Sequence, residues 1–109
     1  MTTYTVDITE QADRDLRSIY LHIAERLGAP ENAKGQLDRL EEAISKLDQM
    51  PERYRRYEKE PWRTRNLRVM PVDNFVVFYT FAEAPHTVTI IRVMYGRRNI
   101  EHELDLPGM

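Results

Sequence analysis

Cysteine is absent from the 109 residues, which excludes a disulfide framework and any thiolate chemistry. No hydrophobic run approaches the roughly 20 residues that a membrane-spanning helix needs. The N-terminus lacks a basic region followed by an apolar run, so we expect no signal peptide. Histidine is scarce, at 3 residues, and no histidine–carboxylate cluster has the spacing of a metal site. These absences favour a soluble, cytoplasmic protein that uses no metal or other cofactor.

Charge is unevenly distributed along the chain, although the formal net charge is only −2. Residues 1–52 carry a net charge of −5, residues 53–98 carry +6 and residues 99–109 carry −3. Six of the cations fall between residues 53 and 65, where they form either one side of a polarised surface or a solvated loop. The overall acidity argues against strong nonspecific binding to nucleic acid.

Two apolar stripes predict a helical hairpin. Thr9 is placed as the N-cap of the first helix, and Gly28 as its C-cap glycine. The apolar residues of the first stripe recur at three- and four-residue steps: Ala12, Leu16, Ile19, Tyr20, Ile23 and Leu27. A second stripe follows Pro30 and ends before Pro51: Ala33, Leu37, Leu40, Ile44 and Leu47. The short link between the stripes predicts antiparallel helices.

Strand patterns flank the hairpin. Residues 4–9 alternate in polarity and predict one strand, whereas residues 51–64 predict an irregular connection. Three further strands are predicted over residues 65–70, 75–81 and 87–95, and the second of these is apolar on both sides. It should therefore be central, with both of its faces covered.

The resulting order, β-α-α-β-β-β with a short helix or extended tail after it, predicts an α+β fold. We expect one domain over residues 1–109, with the helical hairpin on one face of a small, mainly antiparallel sheet and 105–109 as a disordered tail. A short terminal helix would cover the second sheet face thinly. We therefore expect an exposed apolar groove there, which a partner fills.

The end of the last strand carries the strongest functional signal. Tyr95 and Gly96 are followed at once by Arg97 and Arg98, whose guanidinium groups suit phosphate or carboxylate. Within the strand, Arg92 is expected on the same face as Val88, Ile90 and Met94. It is either catalytic or the partner of an acid on the hairpin.

These patterns resemble the toxins of bacterial type II toxin–antitoxin modules, the RelE/ParE family. The resemblance covers roughly residues 4–104. It rests on the helical hairpin, on Leu67-Arg68-Val69, on residues 74–79 and above all on the closing run from Ile91 to Ile100. Family members commonly end in Arg-Val-x-His-Gly-Arg-Arg-Asp-Ile, where this chain has Tyr95 for the histidine and Asn99 for the aspartate.

The resemblance implies two alternative activities. RelE-like members cut mRNA in the ribosomal A site, whereas ParE-like members bind and inhibit DNA gyrase. RelE-like toxins typically hold a cation on the penultimate strand, where this chain has Val76. Because a valine cannot stabilise the developing charge on a phosphate, this departure favours the ParE-like branch. A third hypothesis is an attenuated copy that acts mainly as an antitoxin-bound corepressor.

Candidate site residues follow from these branches. Under the gyrase hypothesis the target would be bound by Tyr95, Arg97, Arg98 and His102. The alternative roles are pairing of the two arginines with antitoxin acids and simple solvation of His102. Under the ribonuclease alternative, with the ribosome and mRNA as partners, the catalytic set would be Arg68, Tyr95, Arg97 and Arg98. In both branches a cognate antitoxin covers apolar surface. The residues expected to bind it are Leu16, Ile19, Tyr20, Ile23, Phe75 and Val77.

Overall fold

The computed structural model describes residues 2–96 and Leu104. Strand β1 (Thr5–Ile8) is followed by helix α1 (Glu10–Leu21), a π-helical segment (His22–Arg26) and helix α2 (Pro30–Ser45). Strands β2 (Arg55–Arg56), β3 (Arg68–Val72), β4 (Phe75–Glu83) and β5 (His86–Tyr95) then complete one five-stranded sheet. Among the described residues, no helix is long and apolar enough to cross a membrane.

The helical hairpin forms where the two stripes predict it. The Thr9 hydroxyl accepts a hydrogen bond from the Ala12 amide at 3.1 Å, which confirms the N-cap. At the other end Gly28 has φ +61°, and the Ala29 amide donates to the Ile23 carbonyl at 3.2 Å. A left-handed glycine followed by this bond ends a helix without the steric penalty of a Cβ atom.

The sheet is mixed, with the strand order β1-β5-β4-β3-β2. β1 runs parallel to β5, and the other neighbours are antiparallel, so the mainly antiparallel α+β fold is confirmed. β4 is the central strand, as its two apolar faces predict. The segment before β3 is more ordered than predicted, because Pro51–Arg53 forms a 3₁₀ turn and β2 pairs with β3.

One irregularity in β5 corrects the predicted strand faces. Tyr79 of β4 pairs with Ile90 and Phe78 pairs with Arg92, so one residue of β5 is extra. Such a bulge reverses the alternation of side chains beyond it. Met94 consequently packs on the sheet face away from the helices, not on the face of Val88 and Ile90 as expected.

Two cores lie on opposite faces of the sheet. The core under the helices joins apolar residues of α1, α2 and the sheet, among them Leu16, Leu40, Leu47, Val77, Tyr79 and Ile90. The core on the second face contains Leu67, Val69, Phe78, Met94 and Leu104. All five of these residues are buried, with Tyr57 and Trp62 packed against them. The expectation of an open groove over these side chains was therefore wrong, because the chain covers them with its own residues.

Candidate functional site

A cleft of about 770 Å³ lies at the end of the sheet where β5 finishes. We call it the terminal cleft. Its walls come from the second half of α1, the π-helical segment and the neighbouring ends of β4 and β5. The apolar residues lining it are Ile19, Leu21, Ile23, Leu27, Phe75, Val93, Met94 and Tyr95.

An ion pair between α1 and β5 forms part of the cleft lining. The Arg92 guanidinium donates to both carboxylate oxygens of Asp15, through Nε at 2.8 Å and Nη2 at 3.1 Å. The Val93 amide donates to the same carboxylate at 2.9 Å. Both side chains are nearly buried, at 9% and 10% exposed. The predicted structural role of Arg92 is thereby confirmed, and Asp15 is the acid of the hairpin that it pairs with.

The β4 and β5 ends are held in register beside the cleft. The rings of Phe75 and Tyr95 meet edge to face, with centroids 5.8 Å apart. One residue further on, the Gly96 amide donates to the Asn74 carbonyl at 2.9 Å. A Cβ atom at Gly96 would lie 3.3 Å from that oxygen, so a glycine suits this close approach.

The β3–β4 turn is fastened to α2. Asp73 has φ +54° and accepts hydrogen bonds from Arg39 Nε at 2.8 Å and Gln36 Nε2 at 3.0 Å. These bonds, the one from Arg39 first, hold the pKa of the Asp73 carboxyl below its usual value. The clamp joins α2 to the turn that supplies Asn74, and so it helps to place the wall of the cleft.

Most of the sequence matches the model of a known protein family. A family model described as the ParE toxin of type II toxin–antitoxin system, parDE, matches residues 6–100. The chain belongs to the ParE toxin family. The resemblance to RelE/ParE toxins stated from the sequence, with the ParE-like branch preferred, is therefore confirmed.

Solved structures of toxin–antitoxin systems share the fold of this ParE-family chain. The chromosomal ParDE system from P. aeruginosa matches with a TM-score of 0.70 and 20% identity, covering 87% of this chain and 98% of that chain. The RelBE2 complex from Mycobacterium tuberculosis matches with a TM-score of 0.62 and 23% identity over 87% and 93%. The archaeal RelE–RelB complex from Pyrococcus horikoshii matches with a TM-score of 0.61 and 19% identity, covering 90% of this chain and 99% of that chain. Comparison with curated protein sequences gives no significant match.

The structure separates the residues of the expected catalytic set. Tyr95 lines the terminal cleft and is 37% exposed. Arg68 pairs with Tyr79, whereas Tyr95 pairs with Phe75, four residues along β4. At about 3.3 Å per residue, Arg68 and Tyr95 are displaced by about 13 Å along the strand direction. Arg97, Arg98 and His102 lie outside the described residues.

Arg68 is already engaged by the backbone of its own chain. Its Nη1 donates to the carbonyl oxygens of Glu52 at 3.0 Å and Tyr54 at 2.7 Å, and the guanidinium lies 5.4 Å from the Phe81 ring centroid. These contacts fasten the segment after α2 to β3. A cation held in this way is poorly placed to follow charge that develops on a substrate.

The residues expected to bind an antitoxin fall in three places. Ile19, Ile23 and Phe75 line the terminal cleft. Leu16 and Tyr20 line a second groove, of about 370 Å³, between the outer faces of α1 and α2. Val77 is fully buried in the helix-side core, and Leu16 is only 6% exposed, so neither offers appreciable surface to a partner.

Sequence reasoning missed two apolar residues at the rim of the cleft. Leu21 is 50% exposed and Leu27 is 64% exposed. The π-helical segment lies between them, where the Leu27 amide donates to the His22 carbonyl five residues earlier at 3.2 Å. A π-turn is wider than an α-turn and shifts the residues after it around the helix axis. Leu27 belongs to the predicted apolar stripe of the first helix, but no local pattern in the sequence shows that its side chain is exposed instead of buried.

The terminal cleft offers an apolar surface for binding. Its lining is largely apolar, and its buried cation, Arg92, is held by Asp15. Within residues 2–96 and Leu104, no group of three or more histidines and carboxylates is arranged to hold a metal ion. An apolar cleft with exposed leucines at its rim is the kind of surface that receives a partner's side chains.

Proposed function

We propose that this chain is the toxin of a two-component module and arrests growth in the cytoplasm by binding and inhibiting DNA gyrase. A cognate antitoxin protein neutralises it. Membership of the ParE family supports the toxin role. The choice of gyrase over the ribosome rests on the chemistry of the terminal cleft and its surroundings.

The observation that carries this choice is the environment of Val76. Val76 packs against the apolar core of the second sheet face, one residue from Val77 of the helix-side core. A Cβ atom at Gly96 would lie 3.9 Å from Val76 Cγ1, so this apolar side chain stands beside the point where the arginine pair begins. Cleavage of RNA by its own 2′-hydroxyl needs a cation at the phosphate, and losing one such donor typically costs about 10²–10³ in rate.

The position of Tyr95 supports a single surface that both the target and the antitoxin bind. It lines the same cleft as Ile19, Ile23 and Phe75, which were expected to contact the antitoxin. An amphipathic antitoxin segment laid in this cleft would cover Tyr95 while burying the rim leucines. Neutralisation then follows from direct competition between antitoxin and target. Arg97, Arg98 and His102 complete the proposed target surface on sequence grounds.

The test measures gyrase supercoiling with purified wild-type chain and matched variants. Tyr95→Ala should raise the concentration for half-inhibition at least tenfold, and Arg97→Ala with Arg98→Ala should raise it further. Ile8→Ala trims an exposed apolar side chain outside the cleft and should leave inhibition unchanged. Circular dichroism and thermal melting confirm that each variant is folded. Full inhibition by the Tyr95 variant and the arginine variant would remove this surface from the proposal.

A further inference from the structure

A second charged feature lies at the opposite edge of the sheet from β1. Strand β2 is the last strand in the order, and Arg55 and Arg56 on it are exposed. Arg63 and Arg65, in the loop that leads to β3, are exposed as well. We call these four arginines the basic edge. They belong to the basic middle of the sequence and take no part in the terminal cleft.

Among the described residues, the arginines of the basic edge differ from those of α1, which have carboxylate partners. On α1, Arg14 and Arg17 pair with Glu10 and Asp13, one turn before them. In the described part of the chain, no carboxylate lies within ion-pair distance of any of the four arginines of the basic edge. Arg65 stacks instead over the Trp62 ring, 5.0 Å from its centroid. Four guanidinium groups are therefore available to external anions.

The backbone of β2 adds a further donor to this edge. The Tyr57 amide points inward and donates to the Leu67 carbonyl at 2.8 Å. Because amides alternate in direction along an antiparallel strand, the amide of Arg56 points outward. At the same time β2 has only two residues, so a protein partner could extend the sheet here through very few backbone bonds. The edge is thus better suited to a partner recognised by its charge.

We propose that the basic edge binds the phosphate backbone of duplex DNA at low salt, without reading its sequence. The net charge of −2 opposes strong binding, so the contact is confined to this locally basic part of the chain. Duplex DNA carries one negative charge per about 1.7 Å of its axis, so exposed arginines along one edge can meet several phosphates. The acidic first half of the chain, with a net charge of −5 over residues 1–52, is repelled by phosphates and orients the basic edge toward them. The inference goes beyond the gyrase proposal, because it concerns DNA itself and an edge remote from the cleft.

The test is a salt titration of binding to a labelled duplex of about 20 base pairs, followed by fluorescence anisotropy. Four phosphate contacts predict a slope of about −3.6 for log K against log salt concentration, and a loss of about 150-fold between 50 and 200 mM salt. Replacing Arg55 and Arg56 by Gln should reduce the slope to about −1.8 and weaken binding at 50 mM salt at least tenfold. Arg14→Gln with Arg17→Gln makes the same change of charge on α1 and should leave the slope unchanged.

Two results would overturn the inference. One is no measurable duplex binding at 50 mM salt; if a ten-residue glutamate peptide then binds through Arg55 and Arg56, the edge is assigned to an acidic protein segment. The other is an equal loss in the two double variants. A chain that binds the duplex through the basic edge but leaves gyrase unaffected would support this inference and contradict the proposed function.

Discussion

At the scale of single residues, Tyr79 shows how a polar group is accommodated in the centre of this sheet. Its ring is fully buried under the helices, and its hydroxyl donates to the Pro51 carbonyl. Burial raises the pKa of Tyr79 to about 12, although the positive charge of Arg68 opposes the shift. The hydrogen bond ties the segment after α2 to the middle of β4.

Replacing Tyr79 by Phe should lower the free energy of unfolding by about 1–3 kcal/mol near neutral pH, because the buried Pro51 carbonyl loses its donor. The difference from wild type should narrow as the pH rises from about 10 towards 12. In that window the phenol ionises in the unfolded chain but stays neutral in the folded one. The wild-type protein therefore loses stability as the pH rises, whereas the Phe variant, which has no phenol at this position, does not. Urea unfolding of both proteins at pH 8, 10 and 11 measures this, and a difference independent of pH would contradict it.

At the scale of elements, α1 is docked on β5 at the bulge. The Thr9 amide donates to the Ile90 carbonyl at 3.2 Å, and its hydroxyl donates to the Ile91 carbonyl at 3.2 Å. Asp15, two turns along α1, then receives the Arg92 guanidinium and the Val93 amide. The bulge and the helix therefore satisfy each other's polar groups.

Asp15→Leu alone should lower the free energy of unfolding by about 3–5 kcal/mol, because it removes the carboxylate to which the buried Arg92 guanidinium donates. Adding Arg92→Met should recover much of that loss, since neither charge of this pair is then buried. Asp13→Asn, which breaks an exposed pair with Arg17 on the same helix, is the control and should change stability by less than about 0.5 kcal/mol. Denaturant unfolding of wild type, the two single variants Asp15→Leu and Arg92→Met, their double variant and the control gives the comparison. Additive losses for Asp15 and Arg92 would argue against a coupled pair.

The same elements show what local sequence patterns can predict. Helix and strand periodicities predicted α1, α2, β3, β4 and β5, because each pattern is set by neighbouring residues. They could not predict the extra residue in β5, since a bulge depends on what the helix and the adjacent strand offer. They also could not predict the burial of Leu104 in the same core as Phe78, which depends on chain folding between distant residues.

The candidate site was predicted only in part, because local patterns place single residues but not the contacts between distant elements. The placing of Tyr95 at the end of β5 follows from a strand that runs into Gly96. The grouping of Tyr95 with Ile19 and Ile23 depends on how the helical hairpin packs against β5, and local sequence patterns do not show tertiary packing. The target-binding roles of Arg97, Arg98 and His102, which lie outside the described residues, stay predictions.

At the scale of the whole molecule, the terminal cleft and the basic edge lie on different parts of the sheet. The proposed antitoxin surface should therefore be separable from the proposed DNA surface. Ile23→Asp puts a charge into the apolar cleft and should weaken binding to the cognate antitoxin at least a hundredfold in isothermal titration calorimetry, because a carboxylate is costly to bury unpaired.

The variant with Arg55→Gln and Arg56→Gln is the control for this measurement, since the basic edge does not line the cleft. It should bind the antitoxin as tightly as wild type. Loss of antitoxin affinity in the arginine variant, with full affinity in the Ile23 variant, would exchange the roles assigned to the two surfaces.

The central claim is that this ParE-family chain acts on DNA gyrase by binding. The most direct measurement adds the purified chain to gyrase supercoiling a relaxed plasmid and, in parallel, to ribosomes translating a defined mRNA. We expect supercoiling to stop in proportion to the chain added, and the antitoxin to restore it, while primer extension shows intact mRNA. Cleavage of the mRNA at codons in the ribosomal A site, with supercoiling unaffected, would contradict the claim and assign the chain to the ribonuclease branch.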